Sequence, residues 1–124
     1  MREILCKGKS ESTLEWVEGW YYKTYCKTGI QEKGHFKYIN CLPDTIGQFT
    51  GIIDKNATKV FEGDIVDYKG EYGKIVYHDS EAMFVIEFDT WCTDFDHITG
   101  NEIEVVGNIH DNPELLEGGE NDAE

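Results

Sequence analysis

At 124 residues, with 40% hydrophobic and 13% aromatic residues, the chain is long enough for one domain with a modest core and too apolar to remain disordered. Its formal charge of -14 arises from 25 acids against 11 Lys and Arg. Every Lys and Arg lies at or before Lys74, so residues 75–124 hold 14 acids and neither basic type. That layout disfavours direct DNA binding, which needs Lys and Arg to displace counterions from phosphates.

In chain order, Arg2 to Lys7 reads as a short strand ended by Gly8, and Ser10-Glu11-Ser12 as a turn. Leu14 to Thr24 alternates large and polar residues and predicts a long strand with Gly19 as a bulge. Trp16, Trp20, Tyr21 and Tyr22 crowd this strand, with the two tryptophans on one face. Aromatics at this density suit cross-strand packing. A base-stacking platform is the alternative, and it gives a nucleic-acid-associated module built on the neutral N-terminal half. Thr28 to Gly34 is polar and carries paired glycines, so it reads as a loop. His35 to Leu42 returns as a strand on which His35 is a solvated residue.

Asp44 to Tyr68 forms the centre of the chain. Thr45 to Gly51 and Val60 to Tyr68 read as strands on either side of a polar turn at Asp54-Lys55-Asn56-Ala57. Gly63 stands at a strand entrance, where a residue without a side chain permits positive φ. Asp64 is expected to hold the bend by accepting from nearby backbone N–H groups. The rival role for Asp64, an acid or metal ligand, is weakened because Asp67 does not share its face.

A glycine turn at residues 69–73 leads to strands over Lys74 to His78 and Ala82 to Phe88. Three consecutive strands of this kind predict an all-β fold, an SH3-like barrel or related antiparallel meander, carrying the N-terminal aromatic strand pair. An OB-type barrel is the nearest rival, but its helix has no candidate here. Asp89 to Thr99 reads as a loop. Aromatics among acids at Asp89, Trp91, Asp94, Phe95 and Asp96 point to a patch that binds a protein partner. The same acids with His97 raise the question of a cation, although their spacing does not match an EF-hand. Glu102 to Ile109 is the closing strand. Asn112-Pro113-Glu114 then begins a short helical turn, with Asn112 as N-cap and Leu115 and Leu116 covering one end of the fold. The domain is expected to span residues 1–116, with 117–124 a disordered acidic tail.

Cys6, Cys26, Cys41 and Cys92 are scattered, without a Cys-x-x-Cys pair or a Cys/His doublet. They predict reduced, buried thiols and no zinc site. No nucleophile stands beside a base and no glycine loop cradles a phosphate, so neither enzymatic activity nor a cofactor is expected. The start lacks the basic region and apolar run of a signal peptide, and no stretch approaches the roughly 20 apolar residues of a membrane helix. These features predict a soluble, cytoplasmic chain whose partner is a protein, a second copy of itself included.

Several blocks together resemble the YopX family of small bacteriophage and prophage proteins. They are Arg2-Glu3-Ile4-Leu5 with Lys7-Gly8-Lys9, Trp16-Val17-Glu18-Gly19, Thr45 to Gly51, Asp54-Lys55-Asn56, Phe61 to Val66, and Val105 to Leu116. Two positions depart from the pattern: Ala57 stands where the turn glycine is expected, and Cys6 where an aromatic is usual. The resemblance implies a β-rich fold and a phage or bacterial cytoplasmic origin. It carries over no catalytic residue.

Overall fold

The computed structural model describes residues 4–32, 34 and 37–116. His35 and the tail 117–124 lie outside them. The alternation of large and polar residues is realised as antiparallel β-structure in two sheets, and the chain gathers into two compact units, 1–49 and 50–124.

In the first unit, β1 (Cys6–Lys9), β2 (Trp16–Lys23), β3 (Thr28–Glu32) and β4 (Tyr38–Asn40) lie side by side in the order β4-β3-β2-β1. The start of β5 (Gly47–Ile53) adds to β1 through Lys7–Gly47 and Cys6–Gln48 pairs. A 3-10 turn at Pro43–Thr45 connects β4 to β5. Ile30, Cys6 and Cys41 are buried together with Val17, Ile39 and Ile46 against them. The stretch Thr28 to Glu32 is therefore a central strand rather than a loop. Ile30 is its one core side chain, which a two-residue period over so short and polar a run does not reveal. Gly19 is no bulge either: it pairs in register with Cys6 of β1 and with Glu32 of β3, as the end pair of each ladder. It is glycine because a Cβ there would collide with the Gln31 carbonyl.

In the second unit, the end of β5 neighbours β6 (Lys59–Phe61). β7 (Asp64–Tyr68), β8 (Glu71–His78), β9 (Met83–Glu87), β10 (Cys92–Asp94) and β11 (Ile103–Asn108) make a five-stranded sheet in the order β10-β9-β8-β7-β11. Val60, Val66, Ile75, Ile86, Phe88, Phe95 and Ile103 form its core. The expected meander is present, and neither sheet closes into a barrel. Closure stops at β10, which is spent after three residues: Phe95 turns into the core and Asp96 opens the short helix α1 (His97–Gly100). The stretch Asp89 to Thr99 thus contains a strand and a helix where a loop was expected. The ladder irregularity falls in β11, between Val105 and Gly107.

Residues 114–116 are helical as expected, with Leu115 N–H donating to the Asn112 carbonyl at 3.0 Å. The Asn112 side chain turns back instead, accepting from the Asn108 N–H at 3.2 Å. Leu115 and Asn112 close over Gly107. Among the described residues no helix is long and apolar enough to cross a membrane.

Candidate partner-binding face

β9 and β10 are joined by a tight turn in which the Phe88 N–H donates to the Trp91 carbonyl at 2.7 Å. This folds the Trp91 ring flat onto Phe88, with centroids 4.3 Å apart and planes at 13°. Tyr68 of β7 stands tilted at 6.4 Å. The indole Nε1 donates to both carboxylate oxygens of Glu71 at 3.3 Å. One ring face and one edge are thereby used, and 44% of Trp91 remains exposed. A side chain fixed on three sides and open on the fourth loses little entropy when a partner covers it.

The acids around it divide by role. Asp89 is exposed in the turn, and Asp94 is exposed at the far end of β10, about 10 Å along the strand from Trp91 at roughly 3.3 Å per residue. Asp96 caps α1: its Oδ1 accepts from the Thr99 N–H at 2.9 Å and the Thr99 hydroxyl at 3.0 Å. These bonds, the backbone one first, hold its carboxyl below the usual aspartate range. Phe95 is only 5% exposed and belongs to the core, so it cannot anchor a partner. Its position just after a strand gave no sequence signal for inward rather than outward orientation. No group of three metal-ligating side chains converges among the described residues, the Asp89 to His97 stretch included.

Gly63 adopts φ +94°, and a Cβ there would meet nothing closer than 3.8 Å, so conformation rather than crowding requires glycine. Asp64 is 1% exposed, and its Oδ2 accepts from the Phe61 N–H at 2.8 Å. The equivalent residue that sequence reasoning missed is Asp54, 3% exposed. Its Oδ1 accepts from the Asn56 and Thr58 N–H groups, each at 2.8 Å, and its Oδ2 from the Val105 N–H at 2.9 Å. One carboxylate thus shapes the β5–β6 hairpin and ties it to β11. The signal was an aspartate opening a polar turn; its bond across 51 residues had none.

The free thiols also divide. Cys6 and Cys41 are buried, and burial pushes the Cys41 thiol up, away from nucleophilic chemistry. Cys26 and Cys92 are exposed, against expectation, because each sits at or beside a hairpin end.

A family model described as YopX protein matches residues 4–117. The crystal structure of protein EF1440 from Enterococcus faecalis is similar to this chain at a TM-score of 0.59 and 24% identity. That likeness covers 94% of this chain and 99% of the other, and it speaks to the fold. No curated protein gives a match.

Proposed function

The chain belongs to the YopX family, and on that footing we propose that it is a non-enzymatic phage or prophage accessory protein that binds a basic protein partner through its acidic C-terminal half. The observation that carries this reading is Trp91, half-exposed on a rigid aromatic base and hydrogen-bonded to Glu71, with exposed Asp89 in the same turn and exposed Asp94 further along β10. Buried aromatic anchors dominate interface energetics, while surrounding charge steers and orients the partner. Residues 50–124 hold four Lys against 19 acids, a net charge of -15, whereas residues 1–49 hold seven Lys and Arg against six acids. The partner face is accordingly Asp89, Trp91 and Asp94, with Asp96 contributing charge while it caps α1. We place its action in the bacterial host cytoplasm.

The test is affinity capture from infected cells with the wild-type chain, Trp91→Ala and Asp89→Lys/Asp94→Lys in parallel. Proteins held by the wild type should be lost by both variants, and added salt should weaken capture, since exposed charges are screened over about 8 Å at physiological ionic strength. Capture that is indifferent to both variants and to salt refutes the assignment. Self-association through the same face is tested by sedimentation of the wild type against Trp91→Ala.

A further inference from the structure

Three strands of the first unit share one register row, because Gly29 of β3 pairs with Tyr22 of β2 on one side and with Asn40 of β4 on the other. Two residues along, Gln31 likewise joins Trp20 and Tyr38. Residues paired across strands point to the same face, and alternate rows point to opposite faces. The intervening row contains Ile30, which is wholly buried. The Tyr22 and Tyr38 rows therefore occupy the sheet's outer face.

Gly29 stands between Tyr22 and Asn40 in that row and carries no side chain. The Tyr22 hydroxyl reaches across it to donate to Asn40 Oδ1 at 2.7 Å. Tyr38 stands edge-on to Tyr22, with centroids 5.1 Å apart and planes at 61°. Burial first, then the neighbouring Cys41, Glu11 and Tyr38, holds the Tyr22 hydroxyl above its ordinary pKa, so it remains a donor. The result is a cleft of about 420 Å³ bordered by Tyr22, Thr24, Lys27, Tyr38 and Asn40. Glycine in that row is obligatory, since a Cβ on Gly29 would collide with the Ile39 carbonyl.

The cleft offers three unused groups. Tyr38 is 63% exposed. With its Oδ1 engaged by Tyr22, Asn40 presents Nδ2, which donates to no described residue. Lys27 is exposed at the β2–β3 hairpin, and its ammonium pairs with no described residue. A planar ring, an acceptor and an anion are what such a site complements. We propose that this cleft binds a nucleoside phosphate, its base against Tyr38 and hydrogen-bonded from Asn40 Nδ2, its phosphate at Lys27.

Charge fixes the orientation. A second cleft shares Tyr38 and Asn40 and is bordered by Glu11, Glu15 and Glu32 against Lys37 alone, a net negative lining that disfavours phosphate. The phosphate therefore lies on the Lys27 side. The seven Lys and Arg of residues 1–49 against six acids impose no general repulsion on an anion there, unlike the charge of residues 50–124. The site holds one base and one phosphate, supplied by a free nucleotide or by a single-stranded nucleic acid. The proposal does not depend on the acidic face.

The experiment is an amide-resolved NMR titration of the full chain at low salt with adenosine monophosphate, adenosine, glucose and a short single-stranded oligodeoxyadenylate. Adenosine monophosphate should shift the Gly29 amide and the Asn40 side-chain amide. Tyr38→Ala should weaken its binding about tenfold, the scale of one lost base–aromatic stack. Lys27→Ala, in an exposed turn, should weaken adenosine monophosphate but leave adenosine unchanged. Tighter binding of the oligonucleotide assigns the source to single strands, and equal or weaker binding assigns it to the free nucleotide. The proposal is overturned if millimolar adenosine monophosphate leaves both resonances in place, if glucose moves them as adenosine does, or if Lys27→Ala and Tyr38→Ala, each retaining the native spectrum elsewhere, bind adenosine monophosphate like the wild type.

Discussion

Replacing Ala57 with glycine should stabilise the second unit, and the expected size follows from the hairpin that contains it. The Ala57 N–H donates to the Asp54 carbonyl at 3.0 Å, and the Asp54 N–H to the Thr58 carbonyl at 2.9 Å. This is a three-residue hairpin loop in which the third residue must be left-handed, the position where glycine is normally found. Ala57 occupies it at φ +67°. For an L-residue with a Cβ that conformation costs about 1–2 kcal/mol. Glycine removes the cost but gains freedom in the unfolded chain worth about 0.4–1 kcal/mol. Because Ala57 is exposed, its methyl group buries nothing that the change would forfeit. The difference is a gain of about 0.5–1 kcal/mol, or roughly 2–5 °C in Tm for a chain of this size. Urea unfolding followed by fluorescence should show a higher midpoint at unchanged m-value in Ala57→Gly. An unchanged or lowered midpoint would show that the strain is relaxed elsewhere and refute the reasoning.

Gly51→Ala is the converse: φ is +89° and a Cβ would meet nothing within 4 Å, so a loss of about 1 kcal/mol, read as a lowered urea midpoint at unchanged m-value, measures conformation alone. Asp54→Asn should cost about 2 kcal/mol, because an amide cannot accept from all three N–H groups that now share the buried carboxylate. Asp67→Asn, at a hairpin where Oδ1 accepts only from the exposed Gly70 N–H, should change stability by less than about 0.5 kcal/mol. For Asp96 the folded carboxyl titrates below the usual aspartate range, so its contribution to α1 is present above the unfolded pKa and is lost as pH falls through the lowered folded value. Carbon-detected NMR titration should find that depressed midpoint and loss of the Thr99 amide's protection with it; an ordinary aspartate midpoint would contradict the cap.

What the sequence revealed and what it concealed follow one physical line. Strands with several large residues at alternate positions, such as Lys74 to His78 and Ala82 to Phe88, were legible because their pattern is local. Gly63 and the Ala57 anomaly were legible because backbone geometry restricts residue type locally. β3 was hidden because its one core residue, Ile30, is flanked by glycine and polar residues and owes its strand state to β2 and β4. Phe95 was misassigned and Asp54 overlooked for the same reason. Burial and partners from distant strands decide both, and neither leaves a mark on adjacent residues. The Tyr22–Gly29–Asn40 row depends on two registers at once, so tyrosine density alone marked the region without defining the cleft.

The structure also changes where the charge boundary matters. By sequence the last basic residue is Lys74, but the fold divides at Phe49 and Thr50, which leaves only Lys55, Lys59, Lys69 and Lys74 with 19 acids. Of these, Lys74 is engaged with Glu87 at 3.5 Å and Lys55 with Glu104 at 4.0 Å. The surface of this unit is therefore more uniformly anionic than the linear distribution suggests, and a polyanion is the partner it can least accept. The outer face of β2, β3 and β4 has tyrosines and Lys27 where the other unit has carboxylates. Because stacking on a ring depends little on ionic strength while charge steering depends on it strongly, salt separates the two faces. It should erode protein capture at Trp91 and leave adenosine at Tyr38 nearly untouched.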